Sequence, residues 1–376
     1  MKSPWPTKKL GEICRIRTGK KDVDEGNPEG KYPFFTCARE ITYSDTYSFD
    51  TEAVLVAGNG DVGATKIYKG KFEAYQRTYV LDDFKDNIKY IYYYLLGNLK
   101  RILIRSKSGS TMPYIRKGDL ENFEISIPED LKEQQKIVSI LDTIQEAIEV
   151  QEKIIEKTKE LKKSLMADLF KYGAPSFRKG RKLKKTEIGE IPEDWEVVRL
   201  GEVFSLYAGG DISKLNYSPI KTGKFIYPIY SNTTENKGLY GFSDTYQYSE
   251  NCITVTARGN LGYAIPRFEK FNAIIRLLVL VPKQELDIIF VSEYINTKIK
   301  VMMENTSIPQ LTVPRFSIFK IPLPPLSEQQ EIAEILQTID QKIEIEQKKK
   351  ALYEELFKTM LNKLMKQEID IEKINL

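Results

Sequence analysis

Histidine is absent from all 376 residues. Its absence removes Ser-His-Asp and Cys-His catalysis, histidine-ligated zinc and the commonest general base. An enzyme built from this chain would have to work with carboxylates, lysine or tyrosine. Cysteine is scarce: Cys14, Cys37 and Cys252 stand far apart, so neither a zinc site nor a disulfide framework is expected, and a reducing cytoplasm fits best. No run approaches the ~20 apolar residues of a membrane span, and MKSPWPTKKLGEI lacks the apolar core of a signal peptide. Two chemical signatures are also missing. Asn27-Pro28-Glu29 does not make an Asn-Pro-Pro-aromatic methylase segment, and there is no G-x-x-x-x-G-K-S/T loop for ATP. No catalytic residue and no metal site are assigned.

What is present is a repeat. EQQKIVSILDTI from Glu133 returns as EQQEIAEILQTI from Glu328, and LGEICRI from Leu10 returns as LGEVFSL from Leu200. The register hardly drifts: Gly11 to Gly201 is 190 residues, Gly60 to Gly259 is 199, Pro113 to Pro309 is 196 and Glu133 to Glu328 is 195. Such a period is far beyond the ~20–50 residues of a solenoid repeat, so it implies two domains doing parallel jobs. With 41% hydrophobic and 29% charged residues the chain can bury real cores. Its net charge of +4 is a mild bias toward anionic partners.

Within each unit, short β-type runs with Gly, Asp and Asn turns precede one amphipathic helix, expected at Ile88 to Ile104 in the first unit and Phe290 to Glu304 in the second. A long helix then follows. The first opens on Asp130-Leu131-Lys132-Glu133 and runs to Tyr172; the second opens on the capping box Ser327-Glu328-Gln329-Gln330 and runs to about Ile369. The boundaries are 1–128, 129–172 for the first long helix, 173–190 for a basic linker read as a surface loop, 191–324, and 325–376 for the second long helix.

Both long helices carry apolar residues in 4-3 spacing. Ile137, Leu141, Ile144, Ile148, Ile155, Leu165 and Leu169 mark the first seam; Ile332, Leu336, Ile339, Ile343, Tyr353, Phe357, Met360 and Leu364 mark the second. Gln151, Glu346 and Lys350 interrupt it. The spacing predicts a coiled coil whose polar middle fixes register; the blander alternative is that each stripe packs on its own globule. About 40 residues at ~1.5 Å each extend ~60 Å, longer than a small domain is wide. The fold class expected is α/β plus coiled coil: two α/β heads at opposite ends of a two-helix antiparallel rod, related by a pseudo-two-fold axis. Two inverted heads at fixed distance resemble a device for reading two half-sites, and at ~3.4 Å per base pair such a rod bounds their separation at roughly 18 base pairs, less if the heads lean inward.

Ile321-Pro322-Leu323-Pro324-Pro325-Leu326-Ser327-Glu328-Gln329-Gln330 with the helix after it, and Ile188-Gly189-Glu190-Ile191-Pro192-Glu193-Asp194-Trp195, resemble the specificity subunit of type I restriction-modification systems. The resemblance covers essentially the whole chain, departing at Ile127-Pro128-Glu129-Asp130, which lacks the second proline. It implies a non-catalytic, cytoplasmic DNA-binding subunit with two target recognition domains, each reading half of a split, asymmetric target in double-stranded DNA. It further implies two modification subunits docked on the helices, restriction subunits beyond them, and S-adenosylmethionine, ATP and Mg on those partners, with no cofactor in this chain and no membrane. The reading from another class is a coiled-coil adaptor with protein-binding heads.

Gly58-Asn59-Gly60-Asp61-Val62-Gly63 is a literal G-x-G-x-x-G after an apolar run. The helix a dinucleotide site needs is missing, because ATKIYKGKF reads as a strand. With Gly259 and Gly262 in the second unit, a tight turn is expected, presenting Asn59, Asp61, Arg258 and Asn260. A second paired segment holds Ser110 and Thr111 in one unit and Ser307 and Gln310 in the other; with Arg105, Lys107, Arg116 and Lys117 it suits phosphate oxygens. Base readout candidates are Arg39, Asn59, Gln76 and Arg77 in the first unit, and Asn232, Arg258, Asn260 and Gln310 in the second. The tyrosine run from Tyr90 has helical spacing and reads as core.

Overall fold

The computed structural model describes residues 5–106, 114–212, 216–299 and 310–371. The chain divides into two compact units, Met1–Ile154 with Glu346–Leu376, and Ile155–Ile345. Each unit therefore holds one α/β head and a part of both long helices.

In the first head six strands form one sheet. Arg15–Thr18 pairs with Thr78–Asp82, that strand with Phe49–Ala57, and that in turn with Thr65–Ala74; Tyr32–Phe35 runs parallel to the last and pairs with Thr42–Ser44. Val54 and Val56 lie in one apolar core while Leu55 joins a smaller one with Phe35, Phe49 and Phe72, as the alternation of a sheet buried on both faces requires. The helix Ile88–Ser106 covers the first face with Tyr90, Ile91, Leu95 and Leu99, so the tyrosine run is core as expected.

The second head keeps this plan but splits the sheet. Phe204–Ala208, Leu278–Pro282, Cys252–Val255 and Ala264–Arg267 form one four-stranded sheet. Tyr217–Ser218, Leu239–Ser243, Tyr227–Tyr230 and Asn272–Ala273 form another. The continuous strand Thr65–Ala74 corresponds to Ala264–Arg267 plus Asn272–Ala273, with the break at the polar Glu269-Lys270. The helix over this head starts at Ile288, two residues before the expected point. Asp287 caps it, its carboxylate accepting from the N–H groups of Ile289 and Phe290 at 2.9 Å each.

The long helices span Leu131–Tyr172 and Leu326–Met365. Asp130 caps the first through Lys132 N–H at 2.9 Å. The second begins one residue before Ser327, and the Pro325 carbonyl, not the serine, receives the first N–H groups, those of Glu328 and Gln329. It also stops short of Ile369, where Gln367 turns to φ 58°.

The repeated E-Q-Q segment has a structural explanation. Gln134 accepts from Asn87 N–H at 2.9 Å and donates to the Pro128 carbonyl at 2.8 Å; Gln329 accepts from Asp287 N–H at 2.9 Å and donates to the Pro324 carbonyl at 2.8 Å. In both units this glutamine ties the start of the long helix to the start of the head's own helix.

The helices run antiparallel. In the first unit Gln151 bonds Glu346 and Glu152 meets Lys350 at 2.7 Å, while Ile137 and Leu141 share a core with Leu361 and Leu364. In the second, Lys162 meets Asp340 at 2.8 Å, and Leu169 shares a core with Ile332 and Leu336. Ile148 and Ile155 are buried, and Ile144, Leu165, Phe357 and Met360 pack on the same cores. Ile339 and Ile343 are half-buried. Tyr353 departs from the seam at 36% exposure, and Gln151, Glu152, Glu346 and Lys350 pair across the middle of the helices. The helix ends thus serve the head cores and the middle is polar.

The stretch expected as a basic surface loop is partly a hairpin, Leu183–Thr186 against Gly189–Pro192. Three of its six cations are engaged internally. Arg178 meets Asp168 at 2.7 Å, Arg181 bonds Glu328 and Asp194, and Lys184 donates to the carbonyls of Glu193 and Trp195.

Candidate nucleic-acid interface

The glycine segments are tight hairpin turns. Gly60 and Gly63 have φ of 62° and 80°, Gly259 and Gly262 of 68° and 77°. Gly63 N–H closes on the Ala57 carbonyl and Gly262 N–H on the Thr256 carbonyl, each at 2.8 Å. The strands Thr65–Ala74 and Ala264–Arg267 follow directly, so neither turn opens a helix whose N-terminus could cradle a pyrophosphate.

Two further segments converge on each turn. Ile115 N–H donates to the Gly58 carbonyl at 2.7 Å and Leu311 N–H to the Ala257 carbonyl at 3.0 Å, which brings the residues after each proline loop alongside. The third is a four-residue turn, Tyr75 to Thr78 in one head and Ile274 to Leu277 in the other, closed by N–H to carbonyl bonds of 2.8 and 3.1 Å. In the first head Gln76, Arg77, Tyr114, Arg116 and Lys117 line one cleft with Gly58. In the second, Arg258, Arg276, Asp211 and the Gly209-Gly210 backbone line another.

The expected contact residues fall into distinct places. Arg77, Arg258 and Asn260 are exposed on the turns and Asn59 is half-buried there. Arg39 is exposed at the rim, 3.6 Å from Asp61. Asp61 also receives Lys100 at 3.0 Å, and these cations, Lys100 foremost, hold its carboxyl below the usual range. Gln76 donates to Asp22 at 3.1 Å, and Gln310 accepts from Arg258 at 3.4 Å. Asn232 is engaged within the head: its amide donates to the Ile275 carbonyl and accepts from Ala257 N–H at 2.6 Å, joining two turns. The side chain of Arg105, and Lys107, Ser110, Thr111 and Ser307 entirely, lie outside the described residues.

Two features escaped the sequence reading. Arg276 stands where Arg77 stands in the first head, at the same 199-residue offset as the glycine turns. A tyrosine pair beside a lysine also occurs twice: Tyr32 and Tyr47 lie 4.9 Å apart with Lys71 at 4.7 Å, and Tyr227 and Tyr246 lie 5.0 Å apart with Lys270 at 4.8 Å. The tetrapeptide Ser44-Asp45-Thr46-Tyr47, repeated from Ser243, was the signal for it. Burial raises the Cys14 thiol to about 12, with Asp82 adding to it, and the Cys252 thiol to about 11, both away from the thiolate form. Among the described residues no helix is long and apolar enough to cross a membrane.

Two heads of one plan thus each gather arginine-bearing turns at a cleft. The family model described as type I restriction modification DNA specificity domain matches residues 2–160 and again 192–355. The chain belongs to that family. It is 34% identical to the EcoDI specificity subunit of Escherichia coli over 53% of this chain, a match that spans about half, 48%, of that subunit's length. It is 28% identical to the MjaVIII specificity subunit of Methanocaldococcus jannaschii over 99% of this chain and 94% of that one. A solved S subunit from M. genitalium shares the fold at a TM-score of 0.64, covering 96% of both chains at 20% identity.

Proposed function

We propose that the chain is the sequence-specific DNA-recognition subunit of a type I restriction-modification enzyme, each head reading one half of a split, asymmetric target. The observation that carries this is a contrast at equivalent positions. The glycine turns and the Gln134 and Gln329 ties recur in both units, yet the matching turns present Asn59, Gln76 and Arg77 in one head and Arg258, Ile275 and Arg276 in the other. A constant frame with two readers suits one enzyme acting on two unlike half-sites. The adaptor alternative has no such support, since the family matched is a DNA specificity domain.

In this reading the chain itself does no bond-breaking. Two modification subunits dock along the long helices and carry S-adenosylmethionine, restriction subunits carry ATP and Mg, and the assembly works in the cytoplasm. Co-expression with the neighbouring modification genes, followed by genome-wide mapping of methylated adenine, tests it. A two-part motif with a constant spacer is expected; methylation at a single uninterrupted motif, or none, would sink it. Deleting seven residues at matching positions of both long helices should then shorten the spacer and leave both half-site sequences unchanged.

A further inference from the structure

The turn carrying Arg276 is held in a conformation its sequence does not favour. Ile275 and Arg276 both have left-handed backbones, φ 54° and 60°, where a β-branched residue is rarely found. The surroundings enforce it. Ile275 N–H donates to the Gly210 carbonyl at 2.9 Å and Arg276 N–H to the Gly209 carbonyl at 3.1 Å. A Cβ at Gly209 would lie 2.7 Å from the Ala273 carbonyl carbon, so this approach needs glycine. Asn232 then fastens the same turn, through the Ile275 carbonyl, to Ala257 N–H next to Arg258. Arg258 is aligned in turn by Gln310. Two exposed guanidinium groups are thereby set at the mouth of one cleft of about 470 Å³ on a backbone with little freedom.

A phosphate contact needs charge and tolerates a flexible carrier, whereas base readout needs a planar fork held in a fixed orientation. We propose that Arg258 and Arg276 are the guanine readers of the second head, each offering its fork to O6 and N7 of one guanine in the major groove, and that Asn232 is the positioning residue for both. This rests on the DNA-recognition reading above. The first head has Asn59 at the position of Arg258 and so presents a different donor set on the same frame.

The test uses the full chain with its modification subunits, selected against a pool of randomised duplexes and sequenced. The wild type should enrich a motif with two guanines in one half. Arg276→Ala should relax one of them and Arg258→Ala the other, each by roughly 5- to 150-fold in preference. Arg276→Lys should keep most of the affinity and still lose the preference, which separates fork from charge. Asn232→Ala should relax both guanines while the other half of the motif and the melting temperature stay near wild type. If the arginine variants weaken binding evenly at every position, both side chains are phosphate contacts and the inference is wrong although DNA recognition stands. Recovery of no motif by the wild type would overturn the inference together with the reading beneath it.

Discussion

The two units solve the same packing problems with opposite chemistry. Where the first sets Tyr93 against Phe357, ring centres 5.9 Å apart, the second sets Glu293 against Lys162 at 3.1 Å, with Asp340 on the same lysine at 2.8 Å. Where the first clusters Phe35, Tyr68 and Phe72, the second stacks buried Arg267 at 3.5 Å over Tyr230 beside Phe271. Near the start of the long helices, Trp5 and Glu133 in the first unit line a cavity of about 260 Å³. The matching Trp195 donates to Glu328 at 2.8 Å, and Arg181 fills the place. What survives in both units is the glutamine ties to backbone groups, the glycine turns and the antiparallel seam. The fold is therefore set by a few hydrogen-bonding and small residues, and side-chain chemistry is free to change so long as volume and pairing are kept.

The largest break in this comparison should come at the carboxylate. Glu328 is fully buried and receives Trp195 Nε1, Ala174 N–H at 3.0 Å and Arg181. Glu328→Ala strands the Trp195 and Ala174 donors, leaves Arg181 with Asp194 alone, and should cost about 3–5 kcal/mol in urea unfolding. Glu133→Ala, at a half-exposed site, should cost under about 1 kcal/mol. Equal losses would mean that the two sites are energetically alike and the contrast is only apparent.

The ion pair of the second unit should make its seam sensitive to pH. Burial lifts the Glu293 carboxyl above its ordinary 4.5, and Lys162 pulls it only part of the way back. Burial also draws Lys162 down, but Glu293 and Asp340 outweigh it and hold it above 10.5. A carboxyl with a raised folded pKa binds more protons in the native state, so stability falls as pH climbs from the unfolded value through the folded one. Lys162→Met removes the compensating charge and raises Glu293 further. The variant should lose about 2–3 kcal/mol at pH 8 and clearly less at pH 5, where Glu293 can take up a proton. Phe357→Met in the first unit should lose the same amount at both. Melting curves at the two pH values decide it, and a pH-independent loss in Lys162→Met would show that the lysine acts by packing alone.

Much of this was legible in the sequence, and what was not has identifiable causes. The repeat, both long helices and the glycine turns follow from spacing, because 3.6-residue periodicity and positive φ leave local signatures. Arg181 did not: in a run of cations it looks solvated, and it is buried by partners of which the charged one, Glu328, lies 147 residues on, with the rings of Phe177 and Trp195 beside it. Arg276 was hidden for another reason. Its turn, Ile274-Ile275-Arg276-Leu277, carries none of the Gly, Asn or Asp that normally mark left-handed backbone, so the segment reads as an unbroken strand. The split sheet of the second head was not legible either, since the break at Glu269-Lys270 falls where the first head carries Gly70-Lys71 in a continuous strand.

The finest difference lies where each head's helix meets a long helix. Gly97 faces Leu361 in the first unit, and Thr297 faces Met166 in the second, with its hydroxyl 3.9 Å from the sulfur. A Cβ at Gly97 would stand 3.2 Å from Leu361 Cγ, a contact that the leucine must relieve by shifting a few tenths of an ångström. Alanine in place of glycine inside a helix gains about 1 kcal/mol in propensity, and the crowding offsets most of it, so Gly97→Ala alone should change stability by less than about 0.5 kcal/mol. Leu361→Met supplies the unbranched side chain that the second unit uses, which can bend away from the new methyl group. The double variant should then recover about 0.5–1 kcal/mol over the sum of the single ones. Strict additivity in urea unfolding would show that the glycine–leucine and threonine–methionine pairs are independent choices and not matched solutions to the same contact.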